Sequence, residues 1–531
     1  MATTLALTAV TIAAALALLL RAPAARAGAM GVALVGAPIL LATQPDVWDS
    51  APMRKLRDGP GGILLLIAVA AVGVLVLVAA AAFLRRRPGW VPLLVAGVLP
   101  FRIPIDVGGG QPVNLLVPLY LVTGAAALAW AWDRVAGVPP ARAARGGIPF
   151  EDGVDDAPGG PPVDPRPVAA DVLLLLFVVL YAVQSAWSGD QGKAVEQVAF
   201  FYVPFALLYV VLRTTRWTEQ LAARCLAVAT AVALALGAIG FYEYATKTVL
   251  LNPKVIASNQ IEDAFRVNSL FFDPNIYGRF LVMVMLGLTA WMLWSRRGRG
   301  VWVTGVVLAI LWAALVLTYS QTSFIALLVG LAVLGGMRFG AWKAFGALVA
   351  VVAVGAVLVL AAPGALRLNG LSHDKLDGAT SGRVALTGGG IRLFADHPAF
   401  GVGSGGFSRA YRKAERSGER KAVDASHTIP ITIAAEQGIV GLAVYALLVV
   451  LVLRRLLRDA DRSVARAGIA AMAIALIAHT MGYAAFLEDP VLWVLLAAGG
   501  ALAGGAGLAG AGVRSGRPRP DGSLSATASA S

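Results

Sequence analysis

Long apolar stretches alternate with short polar connections along most of the chain. A helix of about 20 apolar residues is long enough to cross the hydrocarbon core of a membrane. Such segments, a few of them shorter, recur from the N-terminus onward: 3–20, 28–43, 61–84, 88–101, 113–132, 171–187, 195–212, 220–242, 275–295, 301–317, 322–337, 343–362, 430–453, 465–486 and 489–512. The segments 28–43, 88–101 and 322–337 are short enough to be tilted, re-entrant or half-spans. The pattern predicts an all-α, polytopic membrane helix bundle with about 12–15 transmembrane helices.

Basic residues are concentrated in the connections that follow odd-numbered spans. The clusters lie at 85–87, 213–216, 296–299, 338–343, 454–466 and 514–519. By the positive-inside rule these connections and the C-terminus are cytoplasmic, and 243–274 and 363–429 lie on the opposite side. The first span resembles a signal peptide, but no basic residue precedes it, so we expect a retained span.

Three polar segments divide the helices into groups. Residues 133–170, rich in Pro, Gly and Asp, are predicted to form a flexible cytoplasmic linker. Residues 363–429 are predicted to form a large extracytoplasmic loop with catalytic elements, and 513–531 a disordered cytoplasmic tail. The transmembrane helices then fall into an N-terminal, a central and a C-terminal group: 1–132, 171–362 and 430–512.

Composition agrees with a membrane protein, since 58% of the 531 residues are hydrophobic and only 14% are charged. The net charge of +14 would indicate nucleic acid in a soluble protein. Here it follows from topology and favours contact with anionic membrane lipids, so no nucleic acid partner is expected. Cys225 is the only cysteine, which excludes an internal disulfide and a thiolate metal cluster.

A glycine-rich stretch, Gly401–Gly406, matches the G-x-G-x-x-G pattern of dinucleotide sites. That fingerprint requires a preceding strand within a βαβ unit, whereas this stretch lies in the predicted outer loop. We interpret it as a turn that either lets the backbone approach a ligand or is simply flexible.

Three arginines lie beside predicted outer ends of helices. Asp273 is a natural N-cap before Pro274, so the next span begins at the outer surface with free N–H groups that favour anions. Arg266 lies upstream of this helix start and Arg279 lies one turn inside it. Both suit a lipid diphosphate, or both simply extend to the interface. Arg383 precedes a predicted amphipathic helix and suits a phosphate oxygen, or is a solvated loop residue.

A histidine and a glutamate frame the start of span 430–453. His427 lies just before Pro430, where it can act as a proton acceptor or as an ordinary interfacial histidine. Glu436 lies nearly two turns inside, and a carboxylate within a span is functional or paired by default. The other histidines lack such framing and are interpreted as structural: His373, His397 and His479. Their scatter gives no indication of a zinc site.

Four segments between 266 and 445 resemble, in order and spacing, the motifs of the O-antigen ligase and polymerase superfamily. They are "RVNSLFFDPNIYGRFL", "LTYSQTSFIALLVG", "SGRVALTGGGIRLFADHPAFGVGSGGF" and "SHTIPITIAAEQGIVGLAVY". Two positions depart from the family pattern. Gln321 stands where the family has arginine, for which Arg279 is the candidate substitute, and Ile429 follows His-Thr where the family has His-Asn or His-Ser.

The resemblance implies a multi-pass GT-C-type glycosyltransferase of the cytoplasmic (inner) membrane that works without a metal or other cofactor. It implies transfer of a glycan from an undecaprenyl-diphosphate carrier to an acceptor hydroxyl on a glycan or lipid, in cell-surface polysaccharide biosynthesis. His427 would be the general base, Arg266 and Arg383 would bind the diphosphate, and Glu436 would support the site.

Other functions compatible with the sequence fall into different classes. A polymerase that joins repeat units would use the same motifs as a ligase. A transporter of lipid-linked glycans would show inverted repeats and broken helices near the membrane centre, and the sequence indicates neither. A non-catalytic assembly subunit would tolerate the loss of His427.

Overall fold

A computed structural model describes residues 1–44, 54, 58–59, 62–101, 103–106, 112–137, 166–250, 265–295, 298–361, 383–414, 426, 428–483 and 485–514. The backbone alone is described at 103–106, 112–115, 352, 354–361, 383–384 and 505–514. Several predictions fall outside these residues: His427, most of the linker 133–170, the parts 363–382 and 415–425 of the outer loop, and nearly all of the tail 513–531.

The N-terminal group contains five helices and one hairpin within the described residues. The helices are α1 (Ala2–Leu19), α2 (Pro23–Ala42), α3 (Gly62–Arg86), α4 (Trp90–Val98) and α5 (Val117–Val135). The antiparallel hairpin pairs β1 (Ile103–Asp106) with β2 (Pro112–Leu115), with Ile103 opposite Leu115. It connects α4 to α5 and was not expected from the apolar pattern.

The remaining helices follow the same apolar pattern. The central group consists of α6 (Ala169–Gln184), α7 (Gln191–Gln197), α8 (Val203–Thr214), α9 (Glu219–Thr246), α10 (Pro274–Trp294), α11 (Arg299–Val316), α12 (Gln321–Phe339) and α13 (Ala341–Ala361). A five-residue π-helix, Val198–Tyr202, joins α7 to α8. The C-terminal part contains α14 (Arg383–Asp396), α15 (Phe407–Ala414), α16 (Ile429–Leu457), α17 (Val464–His479) and α18 (Pro490–Arg514).

The helical membrane bundle predicted from the apolar pattern is confirmed. Within the described part of the chain, ten helices are long and apolar enough to cross a membrane, and three further apolar helices are shorter. Every predicted span coincides with one helix, or with joined helices at 195–212. Of the three short segments, α2 and α12 are full-length helices of 20 and 19 residues, whereas α4 has nine. A helix of nine residues covers only about 13 Å, less than half of the hydrocarbon core.

Helices α8 and α10 are the most enclosed spans, and α3 lies at the periphery. The side chains of Leu64 and Leu75 on α3 are 74% and 71% exposed. In a membrane protein such apolar faces contact lipid, so their exposure is consistent with a multi-pass membrane bundle. The core around α8 and α10 positions the helix ends that carry the polar residues described below.

A buried charge cluster joins three helices at the predicted cytoplasmic end of the bundle. Asp171, at the start of α6, is 1% exposed. It accepts hydrogen bonds from Tyr209 at 2.5 Å and from Arg455 at 3.1 Å, and Arg213 lies 3.5 Å away. Two arginines therefore neutralise one buried carboxylate and tie α6 to the ends of α8 and α16.

Candidate active site

The five residues predicted to form a site are described to different extents. Arg266, Arg279 and Glu436 are described with their side chains. Arg383 begins α14, where only its backbone is described, and His427 lies outside the described residues. The structure does describe Ser426 and Thr428, the two residues beside His427 along the chain.

Arg266 is attached to the turn between α11 and α12. Its Nε donates a hydrogen bond to the carbonyl of Thr318 at 3.1 Å, and the N–H of Val267 donates to the carbonyl of Leu317 at 3.1 Å. Glu243, fully buried near the end of α9, holds the same segment by accepting N–H groups from residues 250, 268 and 269. These bonds fix Arg266 beside the beginnings of α10 and α12.

The predicted helix start at Asp273 and Pro274 is confirmed. Asp273 is the N-cap of α10, and its Oδ1 accepts the N–H of Asn275 at 2.6 Å. Its Oδ2 accepts a hydrogen bond from the hydroxyl of Tyr483 at 3.3 Å. Tyr483 follows α17, so the cap also connects α10 to the end of α17.

Arg279, one turn inside α10, forms an ion pair with Asp489. The two side chains are each 3% exposed, and Nη2 lies 2.6 Å from Oδ2. The guanidinium also stacks over Tyr483, 5.7 Å from the ring centre. Binding of a diphosphate by Arg279 stays a prediction. Part of the charge of this arginine is balanced by Asp489, a partner that the sequence did not indicate.

A cluster of hydroxyl groups marks the beginning of α12. Ser320 is the N-cap of α12, and its Oγ donates to Oδ1 of Asn275 at 2.8 Å. Thr322 and Ser323, in the first turn, each lie 3.3 Å from Nε2 of His479 at the end of α17. His479 is fully buried. The N-terminus of α12 is thus connected by side chains to both α10 and α17.

The segment that carries His427 is attached to the end of α17. Thr428 follows His427 directly and donates from Oγ1 to the carbonyl of Met481 at 3.1 Å. The N–H of Ile429 donates to the carbonyl of Thr480 at 3.3 Å. Since Thr480 and Met481 directly follow His479, α16 begins beside the hydroxyl cluster at the start of α12.

Helix α14 brings the backbone of Arg383 toward the same segment. Thr387, one turn after Arg383, lies 3.5 Å by its Oγ1 from the carbonyl of Ser426, the residue before His427. A Cβ on Gly390 would contact both Ser426 and Ile431. Helix α14 therefore packs closely against the start of α16.

These contacts gather three distant parts of the chain at one end of the bundle. Arg266 is bound to the turn before α12, the neighbours of His427 are bound to the end of α17, and the helix beginning at Arg383 packs on Ser426. This end is opposite to the cluster around Asp171. The charge pattern predicts that it faces away from the cytoplasm.

Glu436 binds the glycine-rich loop. Its carboxylate is 7% exposed and accepts the N–H of Gly405 at 3.0 Å and the N–H of Phe407 at 3.2 Å. The nearest partners of this carboxylate are therefore backbone donors of the stretch 401–407. The glycines let the loop backbone come close to another group, as one of the two sequence interpretations allowed. That group is protein backbone and not a ligand.

Helix α16 is interrupted where this loop meets it. Gly438 has φ 65° and ψ −162°, outside the helical region, and a Cβ there would overlap the carbonyl of Ala399. The loop satisfies the backbone groups freed by the break through three hydrogen bonds: Val402 N–H to Ala435 O, Gly403 N–H to Glu436 O, and Ile439 N–H to Pro398 O. Nothing in the apolar pattern indicated this break. Glycine tolerates this conformation, and the loop compensates for it.

Residues 306–446 match the O-antigen ligase family. The resemblance inferred from the motifs is confirmed over this part of the chain, which has an O-antigen ligase- or polymerase-like function and contains Arg383, His427 and Glu436. Arg266 and Arg279 lie before the matched O-antigen ligase region. No curated protein and no solved structure gave a match to the chain.

Two buried residues at this end of the bundle were missed from the sequence. His479 was interpreted as structural, and Asp489 was not considered. Both lie at predicted outer ends of spans, and this shared position is the one signal that could have grouped them with His427. Among the described residues, no group of three or more His, Cys, Asp or Glu side chains could hold a metal ion.

Proposed function

We propose that this protein transfers a glycan from an undecaprenyl-diphosphate carrier to an acceptor hydroxyl on a glycan or lipid, as an O-antigen ligase does. The reaction takes place at the outer face of the cytoplasmic membrane, in cell-surface polysaccharide biosynthesis. One observation carries the proposal. Arg266 and the neighbours of His427, more than a hundred residues apart along the chain, are bound to connected helix ends, α12 and α17.

In this proposal His427 is the general base. It accepts the proton of the acceptor hydroxyl while the acceptor oxygen forms a bond to the anomeric carbon of the donor sugar. The bond from that carbon to the diphosphate oxygen breaks, and its electron pair leaves with the diphosphate.

Arginines balance the charge on the departing diphosphate, which lets the reaction proceed without a metal. Arg266 and Arg383 bind the phosphate oxygens, and Arg279 contributes positive charge from beneath the site. Fixed cations at the position where charge develops stabilise the transition state because they need no reorganisation during the reaction. Glu436 holds the glycine-rich loop against α16 and so supports the wall of the site.

The test uses the purified protein in lipid nanodiscs with a radiolabelled undecaprenyl-diphosphate-linked glycan and an acceptor. His427→Ala is expected to lower the transfer rate at least ~100-fold, the usual contribution of a general base, while binding of undecaprenyl diphosphate persists. His397→Ala is the matched control, since His397 is exposed at the end of α14. Unchanged turnover by His427→Ala would reject the catalytic proposal.

The same assay separates the alternatives. A polymerase lengthens the lipid-linked glycan when the donor is supplied alone, whereas a ligase needs the second acceptor. A transporter moves the glycan lipid across proteoliposomes without transfer. The break at Gly438 does not favour transport, because loop backbone rather than a cavity fills it.

A further inference from the structure

His479 lies at the centre of the outer polar cluster, although the proposed chemistry gives it no role. It is the last residue of α17 and is fully buried. Its Nε2 lies 3.3 Å from Oγ1 of Thr322 and 3.3 Å from Oγ of Ser323. Its ring centre lies 5.8 Å from that of Tyr483. Burying a polar ring at the end of a membrane helix costs free energy unless hydrogen bonds compensate. Polar residues buried within membrane spans are functional by default.

From His479, hydrogen bonds lead to Arg266. The Oγ of Ser323 lies 2.8 Å from the Oγ of Ser320. The backbone N–H of Ser320 donates a hydrogen bond to Oγ1 of Thr318 at 3.2 Å. The carbonyl of Thr318 in turn accepts the Nε of Arg266. The position of Arg266 therefore depends on the turn before α12, which His479 binds through Ser323.

In the other direction, backbone carbonyls after His479 bind Thr428 and Ile429, the two residues that follow His427 along the chain. The carbonyls of Thr480 and Met481, the two residues after His479, hold Ile429 and Thr428. A shift of the α17 end relative to α12 would therefore change the distance from Arg266 to Thr428 and Ile429.

We infer that His479 is a positioning residue for the proposed transfer, which keeps Arg266 at a fixed separation from Thr428 and Ile429, the residues that follow His427, by joining α12 to α17. The inference rests on the proposed function for its kinetic consequence, but the joint itself is a property of the fold. His479 does not touch the reacting atoms. It acts through the two helix ends.

The kinetic test compares His479→Leu, which removes both polar contacts, with His479→Gln, whose amide can still bond a hydroxyl. Small displacements of reacting groups lower rates on the order of 100-fold. We expect His479→Leu to lower kcat about 10- to 100-fold with little change in KM for the lipid-linked glycan. His479→Gln should retain most of kcat, and the exposed control His397→Leu should retain all of it.

A distance measurement tests whether His479 joins α12 to α17, and it does not depend on transfer activity. In a Cys225→Ser background, spin labels at Ile325 on α12 and Met481 after α17, both exposed, report the separation of the two helix ends by pulsed electron resonance. We expect His479→Leu to broaden the distance distribution and His479→Gln to leave it narrow. A second variant, Thr322→Val with Ser323→Ala, removes the hydroxyl partners instead and should reproduce both effects if His479→Leu fails to fold.

The outcomes separate the two proposals. An unchanged distribution in the Leu variant and in the double variant overturns the inference, whatever the activity. A broadened distribution with unchanged kcat also overturns it, because the joint would then not matter for transfer. If the wild-type protein transfers no glycan, the proposed function fails, while the label distances still decide whether His479 joins the helices.

Discussion

Replacement of Glu436 distinguishes a supporting carboxylate from a catalytic one. The buried carboxylate accepts two backbone N–H groups, from Gly405 and Phe407, at 3.0 and 3.2 Å. Glu436→Ala would leave both donors buried without a partner, and each such donor costs about 1–3 kcal/mol. The free energy of unfolding should therefore fall by about 2–6 kcal/mol, before any loss of packing is counted.

Glu436→Gln is the informative second variant, because its single carbonyl oxygen can satisfy one donor but not both. We expect it to lose about half as much stability as Glu436→Ala. Glu196→Gln serves as the control, since Glu196 forms a partly exposed pair with Lys193 at 3.3 Å, and such pairs contribute less than about 1 kcal/mol. Thermal unfolding in detergent, followed by tryptophan fluorescence, should rank the midpoints as control, Gln variant, Ala variant.

Protease sensitivity of residues 397–414 checks the cause, since release of the loop should accompany the loss of stability. An Ala variant with the wild-type midpoint would refute the reasoning, because the loop would then not depend on this carboxylate. A Gln variant with the wild-type midpoint and no transfer activity would also refute it. That result would place Glu436 in the chemistry rather than in the wall of the site.

Three further substitutions test other parts of the structure by the same unfolding measurement. Asp171→Ala should cost about 3–5 kcal/mol, because it leaves buried arginines without their carboxylate. Gly438→Ala should cost at least about 1–3 kcal/mol from its positive φ alone, whereas Gly346→Ala, with open space around it, should be neutral or slightly stabilising. Arg279→Gln should destabilise by about 3–5 kcal/mol by leaving Asp489 unpaired, and adding Asp489→Asn should recover most of the loss. These expectations would be contradicted by an Asp171 variant as stable as the wild type, by equal effects at the two glycines, or by additive effects of Arg279→Gln and Asp489→Asn.

Local sequence pattern was sufficient to predict the helices. Each apolar span became a helix because, in lipid, a helix satisfies its own backbone groups. The start of α10 was equally predictable, since Asp273 and Pro274 act within one turn of the chain. The hairpin between α4 and α5 was not expected, because its strands are only four residues each: β1 lies in the connection between two predicted spans, and β2 overlaps the start of the second.

Contacts between distant residues could not be predicted in the same way. The glutamate in span 430–453 was recognised as paired or functional, but nothing local indicates that its partners are the N–H groups of Gly405 and Phe407. The break at Gly438 was missed for a related reason. A single glycine in an apolar helix is common, and only the loop that arrives from residues 398–403 shows that this one interrupts the hydrogen-bond ladder.

The candidate site contains residues of both kinds, some that local sequence indicates and some that only contacts between distant residues reveal. Arg266 and His427 were selected by resemblance to family motifs, whereas the binding of Arg266 to the turn before α12 and of Thr428 to the end of α17 depends on carbonyls that any residue type could supply. His479 and Asp489 were overlooked because they lie outside those motifs. Their contribution follows from burial and from partners more than a hundred residues away.

We propose that Arg266, Arg383 and His427 share one site on the outer face, and cysteine accessibility is the direct test of this arrangement. Arg266→Cys, Arg383→Cys and His427→Cys are made singly in a Cys225→Ser background, with Arg216→Cys as the predicted cytoplasmic control. A membrane-impermeant maleimide is added to intact spheroplasts with and without undecaprenyl diphosphate. We expect the three site cysteines to be labelled from outside and to be protected by the lipid diphosphate, while position 216 is labelled only after lysis. A site cysteine that is labelled only after lysis, or that the lipid leaves unprotected, would contradict the shared site.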